Sequence, residues 1–179
     1  PEVIRRLKEK NYRVIPLLTR GGRKFITSLT LSTVAEEKSY SDLFNLTDES
    51  EMGHIQLARL ADLIVIAPAS ANIISKISSG ISDDLATTLV LAANGPIFLC
   101  PAMNPFMWSN SATQENILRL KNRSYKIIGP EEGVSACGEF GVSRLSETSK
   151  IIDCIENVNK NIKFPLLKKI KILITAGPT

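Results

Sequence analysis

Three short segments of this chain concentrate residues able to do chemistry, and each follows an apolar, strand-like run. In APASAN, residues 67–72, small side chains let a flat ligand approach the backbone. Ser70 and Asn72 supply donors there, and the helix expected from Ile73 offers its first N–H groups to a phosphate. An ordinary Ser/Asn helix cap accounts for the same residues. In PAMNPFMW, residues 101–108, Asn104 stands between Pro101 and Pro105, whose rings fix φ and so hold the amide. Met103, Met107 and Trp108 give it an apolar wall, which suits donation to a desolvated carboxylate or amide. The competing reading is an Asx turn that starts a helix at Pro105, with the Met and Trp side chains as core. GVSACGEFGVSR, residues 133–144, has glycines at 133, 138 and 141 and no apolar period. It reads either as a flap that carries Cys137 and Arg144 over a site or as a plain surface loop.

His54 is the one histidine of the chain and falls at the start of the amphipathic stretch HIQLARL, which leads into the strand that ends in APASAN. It is a cap, a surface residue or a base. A multi-histidine metal site is excluded, and no metal is expected. Cys100, Cys137 and Cys154 are odd in number and widely spaced, so they form neither a CxxC pair nor a disulfide framework. Asp83 and Asp84 read as caps of the following helix.

Strand and helix patterns alternate around these segments. Strands are expected at 13–19, 63–67, 97–100 and 125–128, short and apolar as in a parallel sheet covered on both faces. Helices are expected near 2–11, 23–29, 54–60, 73–79, 84–93, 112–121 and 148–158. This order implies an α/β, doubly wound parallel sheet with ligands outside the carboxyl ends of its strands. The domain is expected to span 1–159. NKNIKFPLLKK is polar and basic and contains a proline, so 160–169 reads as a linker. KILITAGPT, at 171–179, then looks like the opening strand and turn of another α/β unit cut short, so 170–179 reads as the start of a second domain. A helix at the start of the chain, where a strand usually stands, reads as truncation or renumbering, or as a domain that simply starts with a helix.

The 179 residues suffice for one such domain and a little more. Hydrophobic residues make up 44% and charged residues 22%, ordinary for a globular protein. No run approaches the roughly 18 apolar residues of a spanning helix, and the charged opening is unlike a signal peptide, so no membrane partner is expected and a cytoplasmic setting is the default. The net charge of +4 is modest and its basic residues are scattered, which argues against nucleic acid as a partner.

Four segments, MGHIQLARLAD, APASANIISKISSGISDDL, PAMNPFMW and ACGEFGVSRL, together resemble the homo-oligomeric flavin-containing cysteine decarboxylases, over most of the chain. The resemblance implies a three-layer Rossmann-like flavoprotein domain lacking its first strand, and FMN as cofactor. It implies that His54 is the active-site base, that Cys137 is the acid on a flap, and that Asn104, with Ala102, Met103 and Arg144, meets the substrate. Thr19, Phe25, Ala69, Ser70 and Asn72 correspond to the FMN site. The implied reaction is decarboxylation of phosphopantothenoylcysteine to phosphopantetheine in coenzyme A synthesis, and the junction at KILITAGPT resembles that to a fused synthetase. A peptidyl-cysteine decarboxylase or a non-catalytic regulatory flavoprotein on the same scaffold is the alternative. Trimers or dodecamers are implied. The chain departs from the family pattern at Ile73, where threonine is usual, and at Ser143, where glycine is usual.

Overall fold

The computed structural model describes residues 1–41, 54–135, 138–161 and 170–176. Five parallel strands form one sheet: β1 (Arg13–Leu18), β2 (Leu63–Ala69), β3 (Ile97–Pro101), β4 (Lys126–Ile127) and β7 (Lys171–Ala176). Their order across the sheet is β1-β7-β2-β3-β4. A separate antiparallel hairpin pairs β5 (Glu131–Val134) with β6 (Phe140–Arg144).

Apolar runs with no polar alternation demand cover on both faces, and the helices supply it. One face packs α1 (Glu2–Glu9), α2 (Ser28–Ala35) and α8 (Thr148–Asn161) on Val14, Leu18, Leu63, Val65, Phe98, Ile172 and Ile174. The other packs α3 (His54–Leu60), α4 (Ala71–Ser79), α5 (Leu85–Ala92) and α7 (Ser111–Asn122) on Ile15, Leu17, Ile64, Ile66, Leu99 and Leu173. Successive residues of β2 therefore belong to opposite cores, as the period of a strand requires. The helix that follows β1 and the helix that precedes β2 lie on opposite faces, so the winding reverses between those two strands. In a doubly wound sheet this is where a ligand crevice opens.

Several boundaries differ from the sequence reading. The helix expected at 23–29 is a single 3₁₀ turn at Gly22–Lys24 followed by α2. Thr27 causes the break, because its side chain accepts from Thr30 N and starts a new helix there. The strand expected at 125–128 is reduced to two residues at the sheet edge. The two arms of the glycine-rich segment are paired strands rather than irregular loop, with Gly133 opposite Gly141. The strand expected to open a further unit is a member of this sheet. Lys171–Ala176 pairs with β1 along its whole length and with β2 from Leu63 to Ile66. Ile172, Leu173, Ile174 and Thr175 are all buried, which is the demand of a central strand rather than of an isolated terminal one. Residues 162–169, most of the expected linker, lie outside the described residues.

Candidate active site

The carboxyl ends of the central strands meet at the winding reversal, and a cavity of about 410 Å³ opens there. Ile174 of β7 forms its floor, Ala67 and Pro68 come from the end of β2, and Gly22, Phe25 and Ile26 come from the turn after β1. The start of α1, with Leu145 and the first residue of α8, Thr148, closes the other side. The walls are largely apolar. Thr19 stands at the mouth of β1, half-buried, and its hydroxyl oxygen accepts from Gly22 N at 3.1 Å, which holds the turn that presents Phe25. Phe25 itself is 69% exposed, an aromatic ring at the rim of an apolar cavity.

Beyond the reversal, β2 and β3 end side by side. Ala102 N donates to Ala69 O at 3.1 Å, so the 67–72 and 101–108 segments form one continuous rim. Ala69 is fully buried and Asn72 is exposed at the first turn of α4. Ser70 is the cap of that helix, its oxygen accepting from Ile73 N at 3.4 Å, which leaves the hydroxyl hydrogen able to donate. Ala102 and Met103 are buried, and Met103 N donates to Ser143 O at 3.1 Å, so the hairpin is bonded directly to this rim. Asn104 caps α6 (Pro105–Ser109): its Oδ1 accepts from Phe106 N at 2.8 Å. Its Nδ2 donates to Oε2 of Glu139, which lies across the hairpin turn.

A second concavity, of about 570 Å³, lies between α6 and the hairpin and is lined by Phe106, Trp108, Glu139, Phe140 and Val142 among others. Strand β6 thus connects the two spaces, with Phe140 and Val142 at one and the following Leu145 at the other. Gly141 makes the contact possible, since a Cβ there would stand 2.9 Å from Cβ of Pro105. Arg144 is exposed, and its side chain lies over Gly133 of the facing strand. At the hairpin base Glu131 accepts from Ser146 and from Lys150 of α8. Lys150, and then Ser146, hold the Glu131 carboxyl below the usual carboxylate range.

The structure thus brings Ala69, Ser70, Ala102, Met103 and Asn104 to one rim and sets Thr19 and Phe25 across the reversal from it. Cys137 and the side chain of His54 lie outside the described residues; the backbone of His54 begins α3. Cys100 is fully buried in β3, and burial pushes its thiol up to about 12, so it has no part in thiolate chemistry. Asp84 caps α5, as expected, and Asp83 pairs with Lys76. Among the described residues no cluster of His, Cys, Asp and Glu could hold a metal, and no helix is long and apolar enough to cross a membrane. The sequence reading missed Glu139, although a carboxylate inside a glycine-rich turn next to Cys137 was a visible signal.

The model of the Flavoprotein family matches residues 1–160. The chain belongs to the Flavoprotein family. Among similar members, the coenzyme A biosynthesis bifunctional protein CoaBC of Vibrio vulnificus is 43% identical over 178 residues, 99% of this chain and 44% of that protein. CoaBC of Escherichia coli K12 is 37% identical over 183 residues, covering all of this chain and 44% of that protein. This Flavoprotein chain therefore spans under half the length of the curated relatives it matches. Among solved structures, the peptidyl-cysteine decarboxylase EpiD superposes with a TM-score of 0.73 at 27% identity, covering 87% of this chain and 89% of EpiD. A cysteine-to-serine mutant of PPC decarboxylase, complexed with pantothenoylaminoethenethiol, superposes with a TM-score of 0.65 at 27% identity, covering 83% of this chain and 98% of that one. The Flavoprotein fold and the rim just described are thus seen on a chain with decarboxylases among its structural neighbours.

Proposed function

We propose that this chain is an FMN-dependent decarboxylase that converts phosphopantothenoylcysteine to phosphopantetheine and CO₂ in coenzyme A biosynthesis. The observation that carries this reading is the 37% to 43% identity to CoaBC proteins along the whole chain. The cavity at the winding reversal fits the cofactor: its walls are apolar, as a flat ring system requires, and hydroxyls of Thr19 and Ser70 stand at the neighbouring strand ends. Of the five residues expected to hold it, Phe25 lines this cavity, and Thr19, Ser70, Asn72 and the buried Ala69 stand at the neighbouring strand ends. When bound, FMN would accept two electrons from the substrate thiol, so that the electrons left by departing CO₂ have a thiocarbonyl to enter, and would return two electrons in the last step, so that a thiol substrate gives a thiol product with no net oxidation.

The protein's own groups bind, orient and move protons. Asn104 receives the substrate carboxylate on Nδ2, with Ala102 and Met103 forming the wall beside it and Arg144 offering a cation from the hairpin. His54 takes a proton as the thiol is oxidised, and Cys137 delivers one to the enethiolate carbon once CO₂ has left. Contact between the hairpin and α6 keeps water from the reactive thiocarbonyl.

The assembly is a homo-oligomer, trimer or dodecamer, acting in the cytoplasm. Exposed Phe106, Phe140 and Val134 around the second concavity are consistent with a partner surface. Residues 1–159 form the decarboxylase and 160–169 a linker. The assignment of 170–179 to a synthetase is proposed for a longer bifunctional protein, since in this chain 171–176 completes the flavoprotein sheet.

Visible absorption and product mass test the proposal. Full-length protein should be yellow and should release CO₂ from phosphopantothenoylcysteine, while Cys137→Ser should oxidise the substrate yet stall before product. A colourless protein inert to this substrate overturns it. The EpiD likeness, which has the higher TM-score of the two structures compared, favours a second reading in which the substrate is a peptide ending in cysteine. Turnover of such a peptide with none of the coenzyme A precursor would select that reading.

A further inference from the structure

We propose that Glu139 is a positioning residue that occupies the substrate-carboxylate position on Asn104, holding the hairpin turn in place until the substrate's own carboxylate displaces it. This rests on the proposed role of Asn104 in binding that carboxylate. The carboxamide of Asn104 has its orientation set, because Phe106 N requires an acceptor and so takes Oδ1 at 2.8 Å. Nδ2 is then the donating end, and it donates to the Glu139 carboxylate. The carboxylate at the proposed recognition point therefore comes from the protein itself.

Two consequences follow from charge and connectivity. A second carboxylate arriving at Nδ2 meets Glu139 within a few ångströms, and in a half-buried setting like charges at that range repel strongly. Exchange is favoured over sharing. Glu139 is also tied into its turn from both sides of its backbone: Ser135 N donates to Glu139 O at 2.7 Å, and Glu139 N donates to Ser135 Oγ at 3.2 Å. The side chain that holds Asn104 thus belongs to the turn closed between Ser135 and Glu139, and Glu139 is two residues from Cys137 in the sequence. Substrate binding and the placement of that turn are coupled through one carboxylate-for-carboxylate exchange, which gives Glu139 a role in specificity as well as in position.

A matched pair of unreactive probes isolates the effect. Phosphopantothenoyl-serine has a hydroxyl where the substrate has its thiol and retains the carboxylate; phosphopantothenoyl-ethanolamine differs from it only in lacking the carboxylate. Dissociation constants for both would be measured by calorimetry on FMN-loaded full-length wild type, E139A, E139Q and N104A. Losing a competing charge-assisted hydrogen bond should make E139A bind the serine probe about tenfold more tightly and leave the ethanolamine probe unchanged. E139Q should fall between wild type and E139A, since its amide oxygen still accepts from Asn104 but carries no charge. On the true substrate E139A should show a lower KM together with a lower kcat, because the turn loses its anchor. Equal shifts for the two probes, or weaker binding of the serine probe by E139A, overturn the proposal. The reading of Asn104 is tested separately: N104A must abolish the wild-type difference between the probes. If that difference survives in N104A, Asn104 is not the carboxylate site and the proposal falls with it. If it collapses in N104A but does not widen in E139A or E139Q, Asn104 stands and Glu139 alone is rejected.

Discussion

Asn104 commits one end of its carboxamide to helix geometry, and this determines what the other end can do. The helix-cap reading and the ligand-donor reading, rivals in the sequence, are compatible in the structure because Oδ1 meets Phe106 N while Nδ2 faces the hairpin. Ser70 behaves alike, with its oxygen capping α4 and its hydrogen still available. Sequence separates such roles poorly, since it shows the residue type but not which atom is used. Asn104→Asp keeps the cap and replaces the donor by a second oxygen that faces Glu139. Productive binding should weaken by at least about tenfold, read as a rise in KM with little change in thermal stability. An unchanged KM would remove Asn104 from carboxylate recognition.

At the scale of elements, alternating apolar runs made most strands and helices legible, because a covered parallel strand and an amphipathic helix leave different periods. The hairpin escaped because glycines occupy facing positions 133 and 141, where the period-2 signal of a strand should be. At Gly141 the missing side chain permits a close approach. At Gly141 an added Cβ would come within 2.9 Å of Cβ of Pro105, whose ring cannot rotate away. Gly141→Ala should therefore push β6 off α6, and with it the Met103–Ser143 hydrogen bond that joins the hairpin to the rim. Because the hairpin is not part of the main sheet, global stability should change by less than about 1 kcal/mol, as expected away from the core, while turnover falls steeply. Denaturant unfolding measured beside steady-state kinetics checks this. Loss of stability with full retained kcat would show that the hairpin position does not govern the reaction.

At the scale of the whole molecule, the sheet depends on a strand that the sequence assigned elsewhere. KILITA has the composition of any buried parallel strand, and composition alone does not tell which sheet it joins; pairing partners far away in sequence decide that. Here the partners are β1 and β2, whose inner edges would otherwise both lack hydrogen bonds. Asp62 fixes the entry, since its Oδ2 accepts from Lys171 N at 2.7 Å while its own N–H donates to Lys171 O. From there Ile172 and Ile174 face one core and Leu173 the other, so a single strand stitches the two helical layers together. The cavity floor at Ile174 depends on this arrangement as well. Leu173→Ala should accordingly cost about 2–5 kcal/mol in denaturant unfolding, the range for a fully buried leucine, and should do so within one cooperative transition. Leu99→Ala in neighbouring β3, equally buried, is the internal standard. If Leu173→Ala leaves the transition where it was while Leu99→Ala lowers it, the strand at 171–176 contributes nothing to this core and belongs to a unit of its own. If the two substitutions act alike, the strand is integral to the sheet of this chain, and a longer protein containing another candidate for the same central position would have to decide between them by competition for the edges of β1 and β2.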